Sequence, residues 1–126
     1  MMNFSEKEYR LIKSNFLDKN IFCGLTNMNN GFDVLTIKYF SEPDFEIILD
    51  RVKEFKLGIF GIEPWLNGNM YDMLSSDDYG LDSKDSNWYK DAFQKFISTK
   101  LPLVYAATYD IPKSVLNNFN QNEFIR

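Results

Sequence analysis

The segment from Trp88 to Ile97 carries the clearest periodic pattern in the chain, and it constrains the fold more than any other feature. Its apolar residues recur at the spacing that places side chains on one face of an α-helix. A helix with one apolar face needs another layer of structure to cover that face. The spacing therefore predicts a helix, capped by Asp85 or Ser86, with Trp88 in the core. The residues expected to pack on a sheet are Ala92, Phe93, Phe96 and Ile97.

Start signals predict three further helices. Ser5 and Glu8 have the spacing of a capping box, and Ser41 followed by Pro43 is typical of a helix N-terminus. Asp110-Ile111-Pro112 is expected to start a short last helix, followed by a polar tail. The three predicted helices cover residues 6–17, 41–56 and 111–119, and the tail covers residues 120–126.

Runs rich in β-branched and aromatic residues predict the strands. Asn30-Gly31 is a strong hairpin signal, so residues 21–26 and 32–40 are expected to pair as antiparallel strands. A strand over residues 58–63 is expected to stop at Pro64. A turn at 67–69 and a short return strand at 70–74 are one interpretation of the next segment. Residues 75–86 are expected to form an exposed loop, and residues 101–109 the last strand.

The order of these elements is α-β-β-α-β-β-α-β-α, which predicts an α+β fold. We expect a mixed or mainly antiparallel sheet with helices packed on it. The chain has 126 residues and contains neither a repeat nor a linker-like segment. That length is close to the usual size of one domain, so a single domain over residues 1–126 is expected.

The chain contains no histidine, and this absence restricts its chemistry. Catalysis by Ser-His-Asp or Cys-His groups is excluded. The usual zinc sites are also excluded, because Cys23 is the only cysteine. We therefore expect neither enzymatic activity nor a metal or other cofactor. For an enzyme, the least improbable catalytic pair would be the carboxylates of Glu63 and Asp72.

The formal net charge of −4 disfavours nucleic acid and anionic membrane surfaces as partners. An acidic protein is better suited to a basic protein partner. The first residues are mostly polar, and no run approaches the roughly 18 apolar residues that a membrane span needs. The expected location is the cytoplasm.

The segment from Asp72 to Asp91 is the most acidic part of the chain, with six aspartates against two lysines. One interpretation is a solvated loop whose aspartates cap helices. The other is an electronegative surface, with aromatic residues as anchors for a basic partner. A calcium loop is disfavoured, because Lys84 stands at the third position from Asp82. The expected partner-binding residues are Glu63, Trp65, Tyr71, Asp72, Asp77, Asp78, Tyr79, Asp82 and Asp85.

Two stretches carry a family resemblance: residues 60–65, and a longer one that runs from residues 86–93 to residues 105–109. Together they resemble bacterial immunity proteins of polymorphic-toxin and contact-dependent growth inhibition systems. The resemblance implies a small cytoplasmic protein that binds a cognate toxin domain, such as a basic nuclease, and occludes its active site. It assigns no binding residue by position. An adaptor or scaffold domain for another protein, and a carboxylate-based enzyme, stay open as alternatives.

Overall fold

The computed structural model describes residues 4–125, with side chains up to residue 121. The chain forms two compact units. The first contains both ends of the chain, up to Gly24 and from Ile111 onward, and the second is Leu25–Asp110. The expectation of one domain over residues 1–126 stays a prediction.

The first unit is helical. Helix α1, Glu6–Phe16, begins with the predicted capping box: the Ser5 hydroxyl accepts from the Glu8 amide (3.2 Å), and the Glu8 carboxylate accepts from the Ser5 amide (3.1 Å). Helix α5 spans Lys113–Ile125 and is longer than predicted. The ring of Phe16 on α1 meets that of Phe119 on α5 edge to face, 5.4 Å apart, so the two helices pack on each other.

The predicted strand over residues 21–26 was wrong. The chain continues from α1 into a π-helical turn, Leu17–Ile21, and then turns at residues 22–24. Ile21 follows Phe16 by five positions, which is the spacing that a π turn brings onto one face. Both side chains are buried. Ile21, which contributed to the strand prediction, therefore lies at the end of the apolar face that continues from α1.

The predicted hairpin over residues 21–40 was also wrong, because side-chain amides replace the strand ladder. The Asn29 amide nitrogen donates to the carbonyls of Val34 (3.0 Å) and Ile37 (2.8 Å), and its oxygen accepts from the Gly31 amide (3.0 Å). The Asn27 oxygen accepts from the backbone amides of residues 29 and 39. The backbone groups are thus satisfied without a paired strand.

The second unit contains an antiparallel sheet built around one long strand. Strand β1, Gly58–Leu66, pairs with β4, Val104–Asp110, along nearly its whole length. On the other side of β1 lie two short strands, β2 (Asn69–Met70) and β3 (Leu74–Ser75). The predicted α+β class and the antiparallel sheet are confirmed.

Strand β1 runs through Pro64, although the sequence predicted that it would stop there. The Pro64 carbonyl accepts from the Tyr71 amide (2.9 Å), so the imino nitrogen of the same residue also faces the β2–β3 side. At that point the chain between β2 and β3 leaves the ladder. Proline is tolerated in this strand because the N–H that it lacks faces a gap in the pairing.

A bulge at Phe60 changes which face the next residues occupy. Ile59 is opposite Tyr109 and Gly61 is opposite Thr108, so Phe60 has no partner of its own. A β-bulge of this kind shifts the alternation of side chains by one position. As a result Ile59 and Ile62, three positions apart, are both fully buried.

Helices α2 (Glu42–Glu54) and α4 (Ser86–Ile97) pack on one face of the sheet, as predicted. The Tyr105 ring of β4 stacks on Phe45 of α2, with centroids 5.1 Å apart, and meets Phe93 of α4 edge to face at 5.2 Å. Trp88 is fully buried, and Ala92 and Phe96 are buried beside Phe93, while Ile97 is half-buried. The predicted apolar face of α4 is therefore confirmed.

The segment predicted as an exposed loop contains a short helix, α3 (Ser76–Tyr79), and a buried serine. The Ser83 hydroxyl donates to the Asp110 carboxylate at the end of β4 (2.5 Å). The Ser83 carbonyl accepts from the Ile59 amide (2.9 Å). A Cβ at Gly58 would lie 2.6 Å from the Ser83 hydroxyl, so this close approach requires glycine.

Replacing Phe93 with alanine should lower the free energy of unfolding by about 3–5 kcal/mol, because the ring is buried against two other aromatic rings. Urea unfolding of the full chain measures this difference. The control is Gln94→Ala on the exposed side of the same helix, which should change stability by less than about 0.5 kcal/mol. A loss below about 1 kcal/mol for Phe93→Ala would contradict the packing of α4.

Candidate functional site

The sheet face opposite α2 and α4 carries a shallow groove. Pro64 is paired directly with Tyr105 and shares its helix-covered face. Glu63, one position earlier, therefore projects from the other face. Here the structure has a cavity of about 160 Å³. Its lining residues are Ile37, Tyr39, Gly61, Glu63, Met73, Ala106, Ala107 and Thr108.

Small residues form the floor of the groove, and larger ones form its walls. Gly61 is paired with Thr108, and Glu63 with Ala106, so the central strands contribute little bulk. The walls come from Met73, before β3, and from Ile37 and Tyr39 in the loop of residues 27–39. We call it the asparagine-organised loop, because the side chains of Asn27 and Asn29 bond its backbone. A Cβ at Gly61 would lie 3.2 Å from the Met73 methyl carbon, so glycine at this position keeps the groove open.

Glu63 is the one carboxylate among the described lining residues of the groove, and Trp65 holds it in position. The indole nitrogen of Trp65 donates to Glu63 Oε1 at 2.7 Å. The Trp65 ring packs against Phe32 (5.5 Å) and Tyr39 (5.3 Å). The structure therefore brings together two residues that the sequence analysis selected. It also shows that Trp65 is a half-buried supporting residue.

Tyr39 fixes the loop against this face. Its hydroxyl donates to the Asp33 carboxylate at 2.5 Å, and its ring is fully buried. Burial is the largest cause that raises the Tyr39 pKa above its usual range; the hydrogen bond to Asp33 and the charges of Asp33 and Glu63 act in the same direction. The hydroxyl therefore keeps its proton and remains a donor to Asp33.

The two segments that supply Ile37 and Met73 to the groove carry further exposed apolar side chains. Val34 and Leu35, at the tip of the loop, are 62% and 71% exposed. We use the term apolar surface for the exposed residues of two segments, the loop and the turn from β2 to β3. They are Met28, Val34, Leu35, Ile37, Met70, Tyr71 and Met73. The two segments meet at the groove, which both Ile37 and Met73 line.

The loop part of this surface was not predicted from the sequence. Leu35, Ile37 and Tyr39 alternate with other residues in the manner of a half-buried strand, and this alternation concealed their exposure. The useful signal was the asparagine-rich segment from Asn27 to Asn30, because asparagine side chains often bond nearby backbone groups and form turns.

Most of the predicted acidic residues cap local structure. Asp78 accepts from the Ser75 amide at 2.8 Å in the capping box of α3, and Asp85 accepts from the Asn87 amide at the start of α4. Asp82 and Asp72 accept from backbone amides one or two positions later. All except the half-buried Asp85 remain exposed, as is Asp77.

Tyr79 lies on the helix-covered side of the sheet and joins α3 to α4. Its hydroxyl donates to the Asp91 carboxylate at 2.8 Å, and Lys95 lies 4.9 Å above its ring and 3.3 Å from the same carboxylate. The hydrogen bond from Tyr79 is the largest cause that lowers the Asp91 pKa. Tyr79 therefore contacts α4, which packs on one face of the sheet, whereas Glu63 projects from the other face.

Of the residues expected to bind a partner, Glu63 lines the groove, Trp65 donates a hydrogen bond to it, and Tyr71 belongs to the apolar surface. Asp72 is not among the described lining residues, so the groove does not combine the carboxylates of Glu63 and Asp72, the pair considered for an enzyme. The described lining residues also do not include Asp77, Asp78, Tyr79, Asp82 and Asp85.

Within residues 4–125, no group of three or more His, Cys, Asp and Glu side chains is placed to hold a metal ion. No helix in this described part has both the length and the apolar character needed to cross a bilayer. The chain matches no family model, no curated protein and no solved structure.

Replacing Asn29 with alanine should loosen the loop that carries Val34 and Leu35. The substitution removes the donor to two carbonyls and the acceptor for Gly31, so stability should fall by about 1–3 kcal/mol. Amide exchange measured by NMR should accelerate at residues 31–38 before the sheet is affected. Asn30→Ala is the control, because that neighbour is exposed. Equal effects of the two substitutions would contradict the role of Asn29.

Proposed function

We propose that this chain is a binding protein whose partner is a toxin domain, which it neutralises in the cytoplasm by occluding the toxin's active site. The observation that carries the proposal is the apolar surface. Seven exposed apolar side chains from two adjoining segments are unfavourable in water, and contiguous patches of this kind mark sites of protein interaction. The chain itself is proposed to have no turnover.

The loop is built in a way that favours tight binding. The Asn29 amide and the Tyr39–Asp33 hydrogen bond hold the loop in one conformation before a partner arrives. A surface that is already ordered loses less conformational entropy when it binds. An inhibitor of a toxin needs this property, since it must remain bound while the toxin's substrate competes.

The charge of the chain indicates what kind of toxin domain would bind. The net charge is −4, and the aspartates of α3 and its flanking turns are mostly exposed. A basic partner would be attracted over a distance and oriented by this charge before contact. A basic nuclease fits the proposal, because carboxylates on the inhibitor can occupy positions that normally bind substrate phosphates.

The first test co-expresses the chain with the toxin domain encoded beside its gene. Cells that receive the toxin alone should stop growing, and cells with both proteins should grow. We expect nanomolar or tighter binding, about −12 kcal/mol, with an interface of about 1,600 Å². Leu35→Asp should abolish protection, because it places a charge at the most exposed residue of the apolar surface.

The control for this test is Leu11→Asp, which makes the same change at a 64% exposed position of α1 in the other unit. Leu11→Asp should protect as well as the wild type does. If cells stop growing equally with and without the wild-type chain, and no complex forms, the toxin proposal is wrong. An adaptor that uses the same surface for another protein then replaces it.

The second test measures association with that toxin by stopped flow at increasing salt. The rate should fall as the Debye length shrinks from about 10 Å at 0.1 M to about 3 Å at 1 M. At a given salt concentration, Asp77→Lys should associate more slowly than the wild type, and its free energy of unfolding should be nearly unchanged. Asp78 is unsuitable for this reversal because it caps α3.

Glu54→Lys, at the end of α2, is the matched reversal away from the acidic segment, and it should slow association less than Asp77→Lys. A rate that stays constant with salt in all three proteins would remove electrostatic steering from the mechanism.

A further inference from the structure

We propose that the groove on the open face of the sheet binds an arginine side chain of the partner protein, with the Glu63 carboxylate as its acceptor. The inference rests on the proposed function only for the identity of the protein that carries the arginine. Its basis is the chemistry of the groove, which combines a single carboxylate with the exposed apolar side chains of Ile37 and Met73.

The Glu63 carboxylate has acceptor capacity that the described structure leaves unused. Its Oε1 accepts from the Trp65 indole, but no lysine or arginine of the described residues forms an ion pair with it. A carboxylate can accept about four hydrogen bonds. Glu63 is half-buried, so it has lost part of its hydration without gaining a cation. A cationic hydrogen-bond donor would fill the remaining acceptor positions of the carboxylate and compensate its charge.

The size of the groove indicates a side chain and not a metabolite. Its volume of about 160 Å³ is below the roughly 300–1,000 Å³ that is usual for small-molecule sites. One long side chain that enters from the surface of another protein fits a cavity of this size and shape.

The acceptor favours arginine over lysine. A guanidinium donates from a planar fork that can meet both oxygens of a carboxylate, whereas an ammonium acts as a point charge. Ile37 and Met73 offer apolar contact to the methylene stem of an arginine. Thr108, exposed at the edge of the groove, carries a hydroxyl that can accept a further hydrogen bond from the guanidinium.

The position of the groove connects it with the apolar surface. Ile37 and Met73 belong to both, so a partner that covers the apolar surface would bring its own side chains over the groove. Charged side chains enclosed by apolar contacts at the centre of an interface are typical sites of high binding energy, and arginine is enriched among them.

The test uses the whole chain, ¹⁵N-labelled, and two small probes: Nα-acetyl-arginine amide and its neutral isostere Nα-acetyl-citrulline amide. The chain has two tryptophans, so NMR shows two indole resonances. The Trp65 resonance reports on Glu63, and the buried Trp88 indole, which donates to the Ser83 carbonyl, is an internal control.

We expect the Trp65 indole resonance to shift saturably at millimolar arginine amide, and not with citrulline amide, while the Trp88 resonance stays in place. An absence of saturable shift at Trp65, or an equal shift with citrulline, would overturn the assignment. Tighter binding of Nα-acetyl-lysine amide would overturn the choice of arginine.

Two variants test the residue itself. Glu63→Gln keeps the size of the side chain and an acceptor for Trp65 but removes the charge, so arginine amide should bind about tenfold more weakly or worse. Glu54→Gln removes the same charge from α2 and should bind as the wild type does. An unchanged Trp88 resonance verifies that each variant is folded. Wild-type affinity in folded Glu63→Gln would overturn the proposal.

The outcome can be separated from that of the proposed function. If the wild type protects cells and Glu63→Gln protects with unchanged toxin affinity, the toxin proposal stands and the arginine site is wrong. If arginine amide binds at Glu63 but no toxin is neutralised, the groove chemistry stands and the partner is a different protein.

Discussion

The contacts of Tyr105 are the interaction on which the second unit depends. Its ring lies between Phe45 of α2 and Phe93 of α4, and its backbone pairs with Phe40 on the side of β4 that faces away from β1. One residue therefore joins two helices to the sheet and ends the asparagine-organised loop. Burial raises the Tyr105 pKa to about 12, so the ring stays neutral in this environment.

Because the helices cover only one face, the other face of the sheet is free for a different use. The loop of residues 27–39 covers part of it, and its order comes from hydrogen bonds of Asn27 and Asn29. Side-chain amides can fix an irregular backbone without paired strands. The loop can therefore expose Val34 and Leu35 while its own backbone remains satisfied. In the proposed function this arrangement presents an ordered apolar surface to the partner.

The sequence predicted those parts of the fold in which local signals agree with each other. Helices α2 and α4 each have a start signal and a continuous apolar face, and both were found within a few residues of their true ends. The predictions were wrong where a local strand or hairpin signal was opposed by a second interaction that the pattern did not show. Asn30-Gly31 suggested a hairpin, but the amide of Asn29 offered the same backbone groups other partners. Ile21 suggested a strand, but a π turn placed it on the face of α1.

The candidate site was predictable to the extent that it depends on residue type. Glu63 was selected as a carboxylate at a predicted strand end and Trp65 as an aromatic residue beside the acidic segment, and the structure places them in contact. The placement of Glu63 in the groove and of Tyr79 against α4 depends on which face of the sheet each residue meets. That information is tertiary, because it comes from the pairing of β1 with β4, which is distant in the sequence.

The bulge at Phe60 sets the orientation of everything that follows it in β1. With Phe60 present, Ile62 faces the helices and Glu63 faces the groove. In a regular strand of the same length, without the bulge, the alternation would send Ile62 to the open face and the Glu63 carboxylate into the aromatic core. The side chain at position 60 is exposed, and removing this one residue would leave Ile59, Ile62 and Glu63 on the faces that they occupy now. A lineage that preserves this surface would therefore accept substitution or loss of the bulged residue, and would reject a deletion or insertion that exchanges the two faces after it.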